Sequence, residues 1–329
     1  MYDLVTFGEA MLRLSPPNFR RLEQTTNFDV QIGGAEMNVA VAASRLGLKT
    51  AFVTKLPRNP LGKMVENKNR EQGVDTQHIL WTDEGRVGIY YLEFGASPRA
   101  SRVVYDRSGS AISTVRPGEI DWKRILGQTR LFHLSGITPA LSPTAAETTL
   151  EALKTAREVN CLVSVDLNYR AKLWSQQQAN KTMTKVMEYT DLLFTTEEDT
   201  QRVFGITADT YEEVAATLAE RFSLETVAIT LRGNISVWKN TWTAIAYKAG
   251  KIYRDKTYEL EIVDRVGGGD SFTAGFLYGY LKFNKDVQKA VQYGDAFSAL
   301  KHSIPGDFNW STLEEVEAQL KGAGLRVVR

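Results

Sequence analysis

A chain of 329 residues with 43% hydrophobic content has room for one large α/β domain or two smaller ones with a substantial core, which excludes a disordered protein. Its 40 basic and 39 acidic side chains leave a formal charge of +1, so no global field draws it to nucleic acid or to an anionic membrane surface. The single cysteine, Cys161, excludes an intrachain disulfide, and together with three histidines it offers no zinc-type cluster.

The opening segment Met1-Tyr2-Asp3-Leu4-Val5-Thr6-Phe7 carries an acid where a secretory leader has basic residues, and its apolar run is too short for an h-region. No stretch approaches the roughly 20 continuous apolar residues that a membrane-spanning helix requires. A soluble, cytoplasmic protein is expected. Strands are predicted at Leu4–Phe7, Ala51–Lys55, Leu131–Leu134, Leu162–Asp166, Leu192–Thr195 and Val227–Leu231. Helices are predicted between and after them, at Met37–Leu46, Pro143–Val159, Ala179–Tyr189, Tyr211–Phe222 and Asp270–Leu281. This alternation is the pattern of a doubly wound α/β fold with a mostly parallel sheet between helices.

Two regions break the alternation. Met11 to Ile32 contains strand-like pieces and no helix, and Val87–Phe94 with Arg102–Tyr105 predicts a hairpin around a Gly/Ser/Pro turn. Together they predict a small β-sheet, residues 11–33 and 86–116, inserted into an α/β domain made of residues 1–10, 34–85 and 117–329. A lid over an active site, an edge extension and a dimer surface are the roles open to such a sheet. Beyond Leu231, the runs Ile235–Lys239, Ala244–Lys248 and Lys251–Lys256 predict an antiparallel meander at one sheet edge.

Chemistry concentrates in Val263-Asp264-Arg265-Val266-Gly267-Gly268-Gly269-Asp270-Ser271-Phe272, which leads from a strand-like segment through three glycines into a helix. Glycines at a helix N-terminus let backbone N–H groups approach an anion closely, and the helix dipole supports negative charge there. Asp270 beside such a seat is placed to take a proton from an attacking hydroxyl. A tight turn followed by a capping carboxylate would use the same residues. A dinucleotide fingerprint fails, because the sixth position from Gly267 is Phe272, and no Gly-x-x-x-x-Gly-Lys-Ser/Thr loop occurs.

Far upstream, Gly33-Gly34-Ala35-Glu36-Met37-Asn38-Val39-Ala40 is a paired glycine leading into an alanine-rich helix. With both segments in this order, the chain resembles the ribokinase-like, or PfkB, carbohydrate kinases, whose signatures are Gly-Gly with Asn-x-Ala and Asp-x-x-Gly-Ala-Gly-Asp. Gly33 to Asn38, Leu134 to Ser142, Asp166-Leu167-Asn168-Tyr169-Arg170 and Leu173-Trp174 are similar to the branch of the family that acts on 2-dehydro-3-deoxygluconate.

The resemblance implies a ribokinase-like fold with a β-sheet lid, ATP and Mg²⁺ as cofactors, and a small sugar acid as substrate. Asp270 would be the base, with Gly267, Gly268 and Gly269 stabilising charge, and the 6-hydroxyl of 2-dehydro-3-deoxy-D-gluconate would receive the γ-phosphate. Arg107 and Arg170 would meet the carboxylate of the substrate, since a guanidinium fork matches it bidentately. Tyr90 and Tyr105 would line the sugar, Gly34 would offer it backbone, and Asn38 and Asn168 would bond hydroxyls or order the site. Thr230, Arg232 and Gly233 would border ATP with Gly267 and Gly269, while Ala296 and Ala299 would lie near adenine. Gly268 replaces the usual alanine, and Ser236 a usual glycine. Thr196-Glu197-Glu198-Asp199 stands where relatives carry Asn-x-x-Glu, leaving Asp199 to reach the metal through water. A second copy of the chain is expected at the lid sheet. A ketose kinase of the same family and a non-catalytic sugar or nucleotide sensor are the competing readings.

Overall fold

The computed structural model describes residues 1–322, with strands β1 (Tyr2–Phe7), β2 (Met11–Ser15), β3 (Asp29–Gly33), β4 (Thr50–Pro57), β5 (Ile79–Thr82), β6 (Gly88–Glu93), β7 (Arg102–Asp106), β8 (Thr129–Ser135), β9 (Leu162–Asp166), β10 (Leu192–Thr195), β11 (Thr226–Asn234), β12 (Lys239–Lys248), β13 (Lys251–Arg254) and β14 (Tyr258–Glu261). Its helices are α1 (Ala35–Arg45), α2 (Pro60–Glu71), α3 (Trp122–Leu126), α4 (Ile137–Ala140), α5 (Pro143–Glu158), α6 (Gln176–Met187), α7 (Glu197–Phe204), α8 (Tyr211–Phe222), α9 (Gly268–Lys282), α10 (Val287–Lys301) and α11 (Leu313–Leu320).

Ten strands make the main sheet in the order β13-β12-β11-β10-β9-β8-β1-β4-β5, with β14 paired to β12. From β11 to β5 neighbours run parallel, and β12, β13 and β14 add the antiparallel edge. Strands covered on both faces must be apolar on both, and β1 is: Leu4 enters one core cluster while Val5 and Phe7 enter the other. The helices α1, α9 and α10 cover the Leu4 side, and α5, α6 and α8 the Val5 side. From β1 the chain order proceeds outward through β4 and β5 in one direction and through β8 to β11 in the other. A doubly wound sheet opens a crevice at such a reversal, outside the carboxyl ends of its strands.

A separate four-stranded sheet, β3-β2-β6-β7, is made from the two segments that break the helix–strand alternation. Its inner residues Met11, Tyr90 and Leu92 pack with Phe94, Val103, Tyr105 and Val266, which seats the sheet over the glycine turn. Just past β7, Ile112 and Val115 bury themselves in the core of the main domain.

The meander differs from its prediction. Ile235 to Trp238 is a bend, because Ser236 Oγ accepts from Trp238 N at 3.2 Å and Lys239 N at 3.0 Å and so takes donors from the ladder. Lys239 to Lys248 is instead one continuous strand. Helix α10, which carries Ala296 and Ala299, is buried nearly all round and lacks the apolar stripe that periodicity detects. Among the described residues, no helix is long and apolar enough to cross a membrane.

Candidate active site

A cavity of about 450 Å³ opens at the strand carboxyl ends and is walled by Gly34 and Asn38, by Asp166 and Asn168 to Arg170, by Thr196, Glu198 and Asp199, and by the Gly267 turn. The turn owes its shape to Gly267, which adopts φ 82° at the N-cap of α9. A Cβ there would stand 2.0 Å from the carbonyl oxygen of Asp307, so only glycine fits both the backbone and the neighbour. At Gly268 a Cβ would lie 2.6 Å from His302 Cε1, so the imidazole crowds any larger residue there. Ser298 Oγ donates to Gly268 O at 2.8 Å and ties the turn to α10. The amides of Gly269 and Asp270 have no acceptor among the described residues, so two N–H groups at the positive end of a helix are available to an anion.

Asp270 projects from the first turn of α9. Its Oδ2 accepts from Asn38 Nδ2 at 2.7 Å, and Asn38 Oδ1 in turn accepts from Gly34 N at 3.3 Å. The paired-glycine segment therefore orients the carboxylate directly. Gly34 is needed for that approach, since a Cβ on it would stand 2.0 Å from Glu9 O. Burial pushes the Asp270 pKa up to about 7; the Asn38 hydrogen bond and the Arg170 charge oppose this, and the Asp307 and Glu36 charges add to it. A carboxylate titrating near neutrality is tuned for proton acceptance.

Asp166, at the end of β9, faces the same cavity and is likewise raised to about 7, first by burial and then by the charges of Asp270 and Asp199. Asn168 turns back with φ 39° and donates to Asp166 Oδ2 at 3.1 Å, a left-handed conformation that asparagine tolerates better than most residues. Thr196 caps α7 by accepting from Asp199 N at 3.1 Å, and Asp199 is also raised by burial, with Arg170 opposing. Two hard oxygen donors, both raised first by burial, suit a divalent cation. No group of three or more His, Cys, Asp or Glu side chains is arranged to hold a metal among the described residues. The set fits Mg²⁺ arriving with phosphates, which needs only one or two carboxylates, and not a permanent protein cage.

A second cavity, about 1080 Å³, lies between β7 and the loop after β9, and Tyr169 and Arg170 line both cavities. Tyr105 and Arg107 face this second space, with the Arg107 guanidinium 5.4 Å from the Tyr105 ring centroid. Arg107 pairs with Glu9, so its charge is already answered. Among the described residues Arg170 donates only to Tyr169 O, at 3.2 Å, and the residue is exposed. Buried Arg107 Nε and Asn168 Oδ1 lack hydrogen-bond partners, two polar atoms that a ligand could satisfy. Tyr90 lines the first cavity, but its hydroxyl donates to Asp307.

The structure thus gathers Gly34, Asn38, Tyr90, Asn168, Arg170, Asp199, Thr230, Arg232, Gly267, Gly269 and Asp270 around one cavity. Gly268 and Gly233 stand outside its lining, and a Cβ on Gly233 would meet Thr241 Oγ1 at 2.3 Å, so strand pairing explains that glycine. Ala296 and Ala299 pack in the core beneath. Sequence reasoning missed Asp166 as a titrating group, and also Glu9 and Asp307. Only Asp166 carried a signal, a carboxylate at the carboxyl end of a buried strand.

A glycine turn with two free amides beside an aspartate, in a doubly wound fold with a separate small sheet, defines a ribokinase-like protein. The sequence matches the pfkB family carbohydrate kinase model over residues 1–310, and the chain belongs to that family. A relative from Haloferax volcanii named 2-dehydro-3-deoxygalactonokinase is 41% identical over 327 residues, 99% of each chain. A crystal structure of 2-dehydro-3-deoxygluconokinase from Thermotoga maritima is 46% identical, covers 97% of this chain and 98% of its own, and has a TM-score of 0.94. A relative from Bacillus licheniformis named 5-dehydro-2-deoxygluconokinase is 29% identical over 310 residues, 92% of this chain and 91% of its own.

Proposed function

We propose that this carbohydrate kinase transfers the γ-phosphoryl group of ATP to the 6-hydroxyl of 2-dehydro-3-deoxy-D-gluconate. The observation that carries the reading is Asp270, with its pKa near 7, next to the unpartnered amides of Gly269 and itself. The hydroxyl oxygen attacks phosphorus in line, its proton passes to Asp270 Oδ, and the bond from phosphorus to the ADP oxygen breaks. Developing charge on the transferred group is met by the turn amides, each such donor being worth about 3 to 4 kcal/mol in comparable sites. Asp199 and Asp166 would hold Mg²⁺ with the phosphates, and the metal when bound neutralises phosphate charge. Thr230 and Arg232 border the nucleotide. Arg170, the guanidinium left exposed between the two cavities, supports an acidic substrate.

The 2-dehydro-3-deoxygalactonate epimer is a second reading, supported by the name of the Haloferax relative. Coupled ADP release measured with both sugar acids, 5-dehydro-2-deoxygluconate, fructose and ribose tests the proposal. The highest kcat/KM is expected with 2-dehydro-3-deoxygluconate; a neutral ketose as best substrate would overturn the acid reading.

We further propose that the lid sheet meets a second copy of the chain. Across its outer face Val30, Leu14, Tyr91 and Val104 stand in register, with Phe28 against Tyr91. Val30 is 53% exposed and Val104 37%, an apolar row that the same row of another copy would cover. Val30→Glu should convert a sedimenting dimer to monomer.

A further inference from the structure

Among the described residues the largest fully buried side chain is a tryptophan, Trp242 on β12, which is 1% exposed. A buried indole N–H needs an acceptor, and Asp295 Oδ1 takes it at 2.9 Å. The other oxygen of Asp295 accepts from Ala244 N at 3.2 Å, so β12 and α10 hold the ring between them. Burial pushes the Asp295 pKa up to about 8, with Asp255 adding to the rise and the two bonds resisting, so near neutrality this carboxyl carries little charge.

Arg232 on β11 is the direct antiparallel partner of Trp242, and opposed residues of such a pair share one face of the sheet. The guanidinium carbon stands 5.0 Å from the indole centroid. Among the described residues that guanidinium has no acceptor, and the stacking is what holds it. Its far end reaches the glycine turn, since a Cβ on Gly269 would stand 3.4 Å from Arg232 Nη2. Arg232 is exposed and lines the cavity with Asp166, Asp199 and Asp270, which brings free guanidinium donors alongside the unpartnered amides of Gly269 and Asp270. His302 lies against the same indole, with centroids 5.3 Å apart, and crowds Gly268 from there. Trp242 therefore supports two neighbours of the turn at once.

Tryptophan is the strongest aromatic seat for a cation, and an arginine stacked on one keeps N–H groups for phosphate oxygens. An exposed arginine without such a seat would sweep many rotamers. Charge develops on the equatorial oxygens of a phosphoryl group during transfer, and a guanidinium already fixed there needs no reorganisation.

We propose that Trp242 is a positioning residue for phosphoryl transfer: its indole, fixed by Asp295, holds the Arg232 guanidinium beside Gly269, where Arg232 meets the transferring phosphoryl group. This rests on the assignment of the turn to the phosphates of ATP. The indole touches no reacting atom and acts only through Arg232.

The test is a double-mutant cycle in kcat and in KM for ATP, with the best sugar of the ADP-release panel, over wild type, Arg232→Ala, Trp242→Phe, Trp242→Met and the two double variants. Arg232→Ala should lose about 100-fold in kcat with KM for ATP within about threefold, the pattern of a contact made in the transition state. Trp242→Met, which removes the ring, should lose about 10-fold in kcat, and Trp242→Phe, which keeps a weaker ring without the N–H, about threefold. The phenylalanine variant carries the cycle should the methionine variant fail to unfold cooperatively. In the Arg232→Ala background neither Trp242 substitution should lower kcat further. A ring that merely fills the core gives the same loss in both backgrounds, and that outcome, or a loss confined to KM for ATP, would overturn the proposal. Calorimetry of wild type with a non-hydrolysable ATP analogue and no sugar tests the assignment of the turn by itself. Binding is expected; its absence would remove the assignment and the proposal together, whereas additive losses beside normal binding would remove the proposal alone.

Discussion

Two sets of carboxylates flank the Gly267 turn, and they are treated in opposite ways. Asp264 and Asp307 share the guanidinium of Arg13, whose charge is held against burial by those two partners. Asp264 also accepts from Val266 N at 3.0 Å and Gly306 N at 2.9 Å. Asp270 and Asp166 have only amide donors from asparagine side chains, and both are raised to about 7. The first pair fixes geometry; the second retains the capacity to change protonation state. A cation in direct contact marks the scaffold carboxylates, and its lack marks the pair beside the cavity.

Substitutions can break this contrast from either side. Asp270→Asn should lower kcat by about 10³-fold, within the range seen when a positioned base is removed, while the melting temperature is unchanged or higher, because a carboxyl raised by burial is relieved. Arg13→Met should do the reverse kind of damage: loss of about 3 to 5 kcal/mol in chemical denaturation, because Asp264 and Asp307 are left buried without a cation. Arg170→Ala is smaller, an increase of roughly 10- to 100-fold in KM for the sugar acid with stability unchanged, as expected for one charged hydrogen bond from an exposed residue. Asn38→Ala is smallest. It removes the donor that opposes protonation of Asp270, so the acid limb of activity should move up by roughly one pH unit or less.

The same contrast explains what was legible in the sequence. Gly267 to Asp270 could be read because a left-handed N-cap, a helix start and a carboxylate are local requirements that fix residue types at fixed spacing. The parallel strands could be read because burial on both faces makes them continuously apolar. Arg13 could not, for it is a single basic residue in a short strand whose partners lie far along the chain. Asp295 likewise looks like an ordinary polar position of a helix until Trp242 and Ala244 are brought against it. Nothing near Arg107 in sequence announces its pairing with Glu9. Raised pKa values at Asp166 and Asp270 arise from burial and shared charge, properties of the assembled crevice alone.

The central claim is that an aspartate with no cation hydrogen-bonded to it among the described residues accepts the proton during transfer. It is tested most directly by kcat/KM for the sugar acid against pH, at saturating Mg²⁺ and ATP. Asp270 and Asp166 are coupled, so the limb belongs to the pair. The account predicts an acid limb with its midpoint about pH 7, falling about tenfold per unit below it as Asp270 gains a proton. A rate that stays level down to about pH 5, the range of an ordinary carboxylate, would contradict it.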